Sequence, residues 1–212
     1  MCYSAEISIL SFFVGLAGSI TCIALGSIDD KIIGYFIAFV ACMQGIEYLL
    51  WNHQTCDQYN IFLSHIAMSL NHLQPIVLGC LILVFNTKVK NPNTIVLHMF
   101  LYMCSVLPYS LQFLDQTQNQ CTIKGEENSH LLWNWNRMKY STLMYAIFLG
   151  TVCALFYYGL SKTNFAIFAI DVAILSYATT AIIYQSKYIG SLWCFYTMFI
   201  PILYITYRLQ TM

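Results

Sequence analysis

The sequence predicts an all-α membrane protein, a bundle of seven transmembrane helices, and its composition is the first reason. Of its 212 residues, 59% are hydrophobic and 8% are charged, and the mean hydropathy is +0.65. Soluble domains carry roughly 25% charged residues, so a third of that share cannot solvate a protein surface. The formal net charge is zero and the chain has no block of basic residues. This argues against nucleic acid as a partner and makes the lipid bilayer the expected surroundings.

Seven apolar segments are long enough to cross a bilayer core, which takes about 20 residues of helix. Turn or charge signals such as SIDDK, HQTCDQYN and NTKVKNPN separate them, and a long polar stretch follows the fourth. Within lipid every backbone polar group must be bonded inside the segment, so each segment is expected to be helical. No flexible linker divides the chain, which predicts one integral membrane domain over residues 1–212. The predicted spans are 4–27, 31–52, 61–85, 94–114, 139–160, 163–185 and 190–208.

The first span has two features of its own. Its start, MCYSAEIS, lacks the Lys or Arg of a cleaved signal peptide, so we expect this run to be retained as a membrane helix. Small residues recur along it at spacings of three and four, which lets another helix backbone approach closely. A static packing face and a sliding seam both fit this stripe, which consists of Ser4, Ser8, Ser11, Gly15, Ser19 and Cys22.

The basic residues near the span ends predict the orientation. Five lie on one side of the membrane, mostly in short loops, and four lie on the other. The five are Lys31, Lys88, Lys90, Lys162 and Arg208, and the four are Lys124, Arg137, Lys139 and Lys187. Because short cytosolic loops carry an excess of Lys and Arg, the N-terminus is predicted outside or lumenal and the C-terminus cytosolic. Cys56 and Cys121 then share the outer side, where a disulfide and two free loop cysteines are both open alternatives.

Ionisable side chains inside the spans are the candidates for function, since each costs about 2.5–3.5 kcal/mol at the membrane centre on insertion scales. Glu47 lies nine residues before Cys56 and His65 nine residues after it. On two antiparallel helices joined there, the two side chains come level, about two turns below the loop tip. Glu6 opens the first span on the same side. His72 follows His65 by seven residues, on the same face and about 10 Å deeper.

Three uses fit a carboxylate and an imidazole at one level. They can relay or gate protons, or act as base and acid in an intramembrane hydrolysis. Glu6, Glu47, His65 and His72 together can also hold a divalent metal, which prefers three or four such ligands. The alternative is a buried hydrogen-bonded pair that only sets how the helices pack.

Three other features lie apart from this group. Asp171 stands alone near the middle of the sixth span, either protonated and hydrogen-bonded or part of an ion path. Trp133 and Trp135 in the long loop are predicted to lie in the membrane interface. His130 precedes them and is either a surface histidine or a lid residue over the site.

Three stretches resemble a family of small uncharacterised polytopic membrane proteins that begin Met-Cys-aromatic-Ser-Ala. They are MCYSAEIS, MQGIEYLLW and HLLWNW, about a third of the chain. The family occurs in bacteria, some eukaryotes and large DNA viruses, and its members more often have Phe or Trp where this chain has Tyr3. The resemblance implies a multi-span protein and no activity. The matching positions are Cys2, Ser4, Glu6, Gln44, Glu47, Trp51 and His130.

The sequence leaves three classes of function open. A transporter or channel-like protein for a small solute, proton or metal ion is favoured by carboxylates and histidines at several depths. A membrane-embedded enzyme acting on a lipid or small molecule, with or without a divalent metal, is the alternative. A structural or interaction protein is the third. No retinal is expected, because residues 190–208 contain no lysine for a Schiff base.

Overall fold

The described part of the chain is almost entirely helical. A computed structural model describes residues 4–87, 89, 91–116, 120–125, 130–161, 163–183 and 199–210. It contains seven α-helices in these ranges: α1 (Ala5–Leu25), α2 (Ile28–Asn52), α3 (Gln58–Phe85), α4 (Pro92–Leu114), α5 (Ser141–Gly159), α6 (Thr163–Ile183) and α7 (Ile200–Gln210). The polar loop between α4 and α5 adds two-residue strands β1 (Ile123–Lys124) and β2 (Leu131–Leu132), and a 3-10 turn, Asn134–Arg137.

Five of these helices, α1 to α5, are long and apolar enough to cross a membrane, which indicates an integral membrane protein. In α6 the described apolar stretch is shorter, Ala166–Thr179. The predicted seventh span lies only partly in the described residues, where α7 covers its end. Residues 184–198 lie outside them, as does Cys2.

Capping explains why α2 and α3 begin three residues before the predicted apolar runs. Ser27 caps α2, with its hydroxyl accepting from the Asp30 backbone and its own backbone N–H donating to the Asp30 carboxylate. Asp57 caps α3 by accepting from the backbone N–H of Asn60. A polar cap satisfies backbone donors that the first turn leaves unpaired, so a helix extends beyond its apolar run.

The small-residue stripe of α1 is its buried face and packs against α2. Ser8, Ser11, Gly15, Ser19 and Cys22 are all buried. A methyl group placed on Gly15 would come within 2.9 Å of the Ala41 Cβ, so the two backbones need a glycine there. The Ser19 hydroxyl donates to the Gly34 carbonyl at 2.8 Å.

A buried cluster of charged and polar residues ties α2 to α7 at the end of the bundle opposite the α4–α5 loop. The carboxylate of Asp30 is fully buried and accepts from the Tyr204 hydroxyl at 2.7 Å and the Arg208 Nε at 3.0 Å. Its neighbour Asp29 accepts from the backbone N–H of Ser161 at 2.9 Å, between α5 and α6. We call Asp29, Asp30, Tyr204 and Arg208 the inner cluster. In the sequence, Asp29 and Asp30 indicated only a turn between the first two predicted spans.

Apolar side chains fill the bundle above the inner cluster. Ile33 and Ile37 of α2 and Leu78 and Ile82 of α3 are all buried in one hydrophobic core with side chains of α4, α5 and α7. This layer isolates the inner cluster from the opposite half of the bundle.

Replacing Asp30 with Ala should lower the free energy of unfolding by about 3–5 kcal/mol, because the Arg208 guanidinium would lose its carboxylate in a buried site. Tyr204→Phe removes one hydrogen bond and should cost about 1 kcal/mol. Unfolding in detergent measures both. The control is Asp115→Ala, an exposed carboxylate, which should change stability by less than about 0.5 kcal/mol. Equal losses for Asp30→Ala and Asp115→Ala would contradict a buried ion pair.

Candidate functional site

The described part of the loop between α4 and α5 folds onto the ends of α2 and α3. We call residues 120–125 and 130–140 the lid. Trp133 and Trp135 are buried, at 1% and 0% exposure, and stack at 4.8 Å between ring centroids. They pack in one core with Met43 and Leu50 of α2 and with residues of α3 and α4. The prediction that these tryptophans lie in the membrane interface is therefore wrong: they form the inside of the lid.

The Asn60 side chain attaches the lid to α3 as a backbone strand would. Its amide oxygen accepts from the Thr122 N–H at 2.9 Å, and its amide nitrogen donates to the Thr122 carbonyl at 3.0 Å. The same nitrogen donates to the His53 carbonyl at 2.8 Å, which closes the turn between α2 and α3. Ser64, one helical turn on, also accepts from the Thr122 N–H. All three of Asn60, Ser64 and Thr122 are fully buried.

A disulfide stands beside this clamp. Cys56 and Cys121 are bonded, with their Cα atoms 5.6 Å apart and a sequence separation of 65. Of the two alternatives left open by the sequence, a disulfide and two free loop cysteines, the structure has the disulfide. Cys121 also accepts through its carbonyl from the Asn134 side chain at 2.8 Å. The lid is consequently held to the α2–α3 turn by a covalent bond and by amide pairing.

Glu47 lies fully buried beneath the lid. It shares the buried face of α2 with Gln44 and with Met43 and Leu50 of the lid core. Glu47 has an interaction partner in the folded chain. Gly15 of α1 and Ala41 of α2 are in contact. Seven residues from there towards the start of α1 and seven towards the end of α2 bring Ser8 level with Tyr48. A buried serine of α1 is therefore at the depth of Glu47.

His65 and His72 do not turn towards Glu47. The buried face of α3 carries Asn60, Ser64, Asn71 and Gln74, which are 0–4% exposed and which we call the interior stripe. His65 follows Ser64 and His72 follows Asn71, so each is turned about 100° away from its neighbour.

Both histidines contact α4 instead. The His65 ring lies edge-on to Phe113 at 6.0 Å, and His72 Nδ1 hydrogen-bonds to Ser110 Oγ at 2.8 Å. His65 therefore contacts α4, and its expected pairing with Glu47 stays a prediction; Glu47 itself is fully buried on α2.

The metal site predicted from Glu6, Glu47, His65 and His72 is not formed. In the described ranges, no three His, Cys, Asp or Glu side chains are grouped closely enough to hold a metal ion. Glu6 is exposed on the first turn of α1, and the two histidines face α4. Side-chain direction around each helix, which counting along a chain does not give, separates these four residues.

Asp171 and His130 also have definite places. Asp171 is exposed on α6, away from the interior stripe. His130 is 8% exposed and belongs to the lid, where its carbonyl accepts from the Gly125 N–H at 2.8 Å. His130 is therefore a buried residue of the lid and not a surface histidine, which were the two alternatives.

A cavity of about 260 Å³ lies between α3, α4 and α5, directly beneath the 3-10 turn of the lid. We call it the polar cavity. Its lining residues come from α3 (Asn71, His72), α4 (Tyr102, Val106, Tyr109), the lid (Asn136) and α5 (Met144, Tyr145, Phe148). It adjoins the interior stripe through Asn71, which lies about 10 Å below Ser64 along the α3 axis.

Most polar atoms around the polar cavity are paired with each other. The Tyr102 hydroxyl donates to the His72 carbonyl at 2.9 Å, the Tyr145 hydroxyl donates to Asn136 Oδ1 at 2.6 Å, and the Tyr109 hydroxyl donates to the Trp135 carbonyl. These bonds fix the walls and connect the lid to α4 and α5. They leave the hydroxyl donors of all three tyrosines engaged.

The amides of Asn71 and Asn136 are the exceptions. Neither the oxygen nor the nitrogen of the Asn71 side chain, nor the Asn136 nitrogen, has a hydrogen-bond partner among the described residues. Both residues are buried, at 1% and 3% exposure. A buried amide left unpaired costs about 1–3 kcal/mol. The cavity therefore presents a donor and an acceptor suited to a small molecule that has both.

Two signals of this cavity are visible in the sequence, although they did not predict it. Tyr102 and Tyr109 recur on one face of α4, and Asn71 is an amide in the middle of a span. Asn136 and Tyr145 gave no such signal, because a loop asparagine and a membrane tyrosine are both common.

Comparisons of the chain with protein-family models, with characterised proteins and with solved structures give no match.

Replacing Asn60 with Leu should detach the lid strand from α3, because the buried N–H and carbonyl of Thr122 would lose their partner. We expect a loss of at least about 2 kcal/mol in the free energy of unfolding, and faster hydrogen exchange over residues 120–125. Asn52→Leu makes the same change at an exposed position and serves as the control. Unchanged exchange at Thr122 in Asn60→Leu would show that the clamp does not hold the lid.

The stability of the lid should decrease at acidic pH because of His130. Burial lowers the pKa of this imidazole from its ordinary value of 6.5, so the unfolded lid takes up a proton before the folded one does. Stability is then complete above about pH 6.5 and is lost as the pH falls from there through the lowered pKa. The fluorescence of Trp133 and Trp135 between pH 8 and 5 follows the change. His130→Gln should flatten the profile, and His53→Gln should keep it; a wild-type profile in His130→Gln would refute the assignment.

Proposed function

We propose that this protein moves a small solute or ion across its membrane, as a transporter or channel-like protein with seven membrane spans. The observation that supports this most is the interior stripe of α3. Its four polar side chains extend from the lid towards the middle of the bundle over 14 residues, or about 21 Å of helix. Glu47 and Gln44 face the same buried interior from α2.

A purely structural stripe would be expected to pair its polar groups across helices. Asn60 and Ser64 do so, but further inward the pairing stops. Asn71 and the amide nitrogen of Gln74 have no partner among the described residues. The deeper half of the stripe is therefore better suited to meeting a passing molecule than to holding helices together.

The two ends of the bundle fit the closed state of such a protein. The lid covers the stripe at one end, and the inner cluster with its layer of apolar side chains closes the other. Transport would require these two closures to open in turn. Glu47 is a fully buried ionisable group of α2, and we propose that it takes up and releases the proton that accompanies the solute.

The walls of the polar cavity indicate the solute. In this closed form the centre of a water-sized molecule can occupy only about 10 Å³ of the cavity, which is room for about one water, so a larger solute requires its walls to move apart. Its described lining has no carboxylate, Lys or Arg, and the amides of Asn71 and Asn136 offer one acceptor and two donors. A small uncharged solute that both donates and accepts hydrogen bonds, such as an amide or a polyol, fits this chemistry.

We also propose that the lid side faces the outside or a lumen and that the C-terminus is cytosolic. The disulfide between Cys56 and Cys121 supports this, because such bonds persist in oxidising compartments. The bias of basic residues towards the opposite side has the same sign.

A membrane-embedded enzyme remains the second candidate, for one reason. The polar cavity is small and lies beneath a closed lid, as a reaction chamber for a small molecule would. A flux measurement distinguishes the two, because an enzyme converts its substrate without carrying it across a bilayer.

Proteoliposomes of the purified protein should show solute-dependent swelling with urea, acetamide or glycerol in stopped-flow light scattering. Asn71→Leu should reduce the protein-dependent rate by about tenfold or more, since it removes the buried donor and acceptor. Glu47→Gln should abolish the proton uptake that accompanies solute entry, measured with a trapped pH-sensitive dye. Asn52→Leu, the same change at an exposed site, should behave as wild type. Folded protein without flux of any of these solutes or of protons would sink the transport proposal.

A further inference from the structure

A second and larger cavity lies in the opposite half of the bundle, where α2, α5, α6 and α7 meet. It has a volume of about 750 Å³ including its open mouth, and the centre of a water-sized molecule can occupy about 60 Å³ of it. We call it the apolar cavity. Its walls are hydrocarbon and aromatic, with Ile37, Val40, Val152, Phe168 and Ala173 as representatives of α2, α5 and α6.

Two polar side chains are found among the described residues that line the apolar cavity, Gln74 and Tyr204. The Tyr204 hydroxyl is engaged, because it donates to Asp30 at 2.7 Å. Gln74 is 4% exposed, and its amide nitrogen has no hydrogen-bond partner among the described residues. The cavity thus offers one uncommitted N–H donor in apolar surroundings.

The charges of the walls limit what can bind. No Lys, Arg, Asp or Glu is among the described lining residues. A carboxylate or phosphate moved into such surroundings would lose its hydration without gaining a cation, which is strongly unfavourable. An uncharged oxygen, in a hydroxyl or a carbonyl group, accepts from an amide N–H without that penalty.

We propose that the apolar cavity binds an uncharged long-chain lipid, whose hydroxyl or carbonyl oxygen accepts a hydrogen bond from Gln74. The hydrocarbon chain lies against the walls contributed by α2, α5 and α6. The described linings of the two cavities have Phe148 in common and otherwise differ. The site shares Gln74 with the interior stripe, but neither Asn71 nor Glu47, the residues changed in the transport test, lines it.

The test uses the protein in lipid nanodiscs with a hexadecanol analogue that carries a photoreactive diazirine. Labelled peptides from α5 and α6 are measured by mass spectrometry, with hexadecanol, hexadecane and palmitate as competitors. Hexadecanol should reduce labelling at concentrations about fivefold or more below those needed for hexadecane, because only the alcohol bonds to Gln74. Palmitate, charged at neutral pH, should compete less well than hexadecanol.

Variants separate the donor from the space. Gln74→Leu should remove the preference for hexadecanol over hexadecane, while Ala173→Phe should abolish labelling by filling the cavity. Val172→Phe fills it from the next position on α6 and replaces Ala173→Phe if that variant does not fold. Leu175→Phe, at a site 65% exposed on the same helix, is the matched control and should label as wild type.

Equal competition by hexadecanol and hexadecane in the wild type would overturn the proposal, as would stronger competition by palmitate. Labelling that persists when the cavity is filled would also overturn it. Because the flux assay uses Asn71→Leu and Glu47→Gln, either proposal can fail while the other stands.

Discussion

The pairing between the Asn60 amide and the backbone of Thr122 is the interaction on which the outer half of this structure depends. A membrane helix has no free backbone groups to offer a loop, so the side-chain amide of Asn60 supplies both the donor and the acceptor that a neighbouring strand would. With the strand fixed, Trp133 and Trp135 are buried against α2, α3 and α4. That packing in turn covers Glu47 and the polar cavity.

The polar side chains of the interior stripe differ in how they are paired. Asn60 and Ser64 are paired with the backbone of Thr122 at the lid, although the Thr122 hydroxyl and the indole nitrogens of Trp133 and Trp135 have no partner among the described residues. At the other end, Asp30, Tyr204 and Arg208 are paired with one another. In the middle of the bundle, the Asn71 side-chain amide and the Gln74 amide nitrogen have no hydrogen-bond partner among the described residues. Because unpaired groups in a membrane interior are costly, we infer that their partners come from molecules that bind there.

The sequence was informative about depth and uninformative about direction. Counting from Cys56 predicted that Glu47 lies below the loop and inside the bundle, because helix rise per residue is nearly constant, and Glu47 is fully buried on α2. The same count placed His65 at that level, but His65 lies one residue beyond Ser64, and 100° of rotation sends it to α4. Which face of α3 meets α2 is decided by packing of the whole bundle, as are the burial of Trp133 and the place of Asn136. Composition predicted the helices and the membrane, since these follow from the solvent; the cavities follow from contacts between distant segments.

The different chemistry of the two ends indicates where a transport movement would be largest. At the lid end a disulfide, the Asn60 clamp and a stacked tryptophan pair restrict movement. Within the inner cluster, α7 is joined to α2 by two hydrogen bonds, which Tyr204 and Arg208 donate to the Asp30 carboxylate. Both bonds can break and re-form without unfolding a helix. Opening there exposes one ion pair to water, where its partners regain hydration. Under the transport proposal, α7 is therefore the element expected to move against α2.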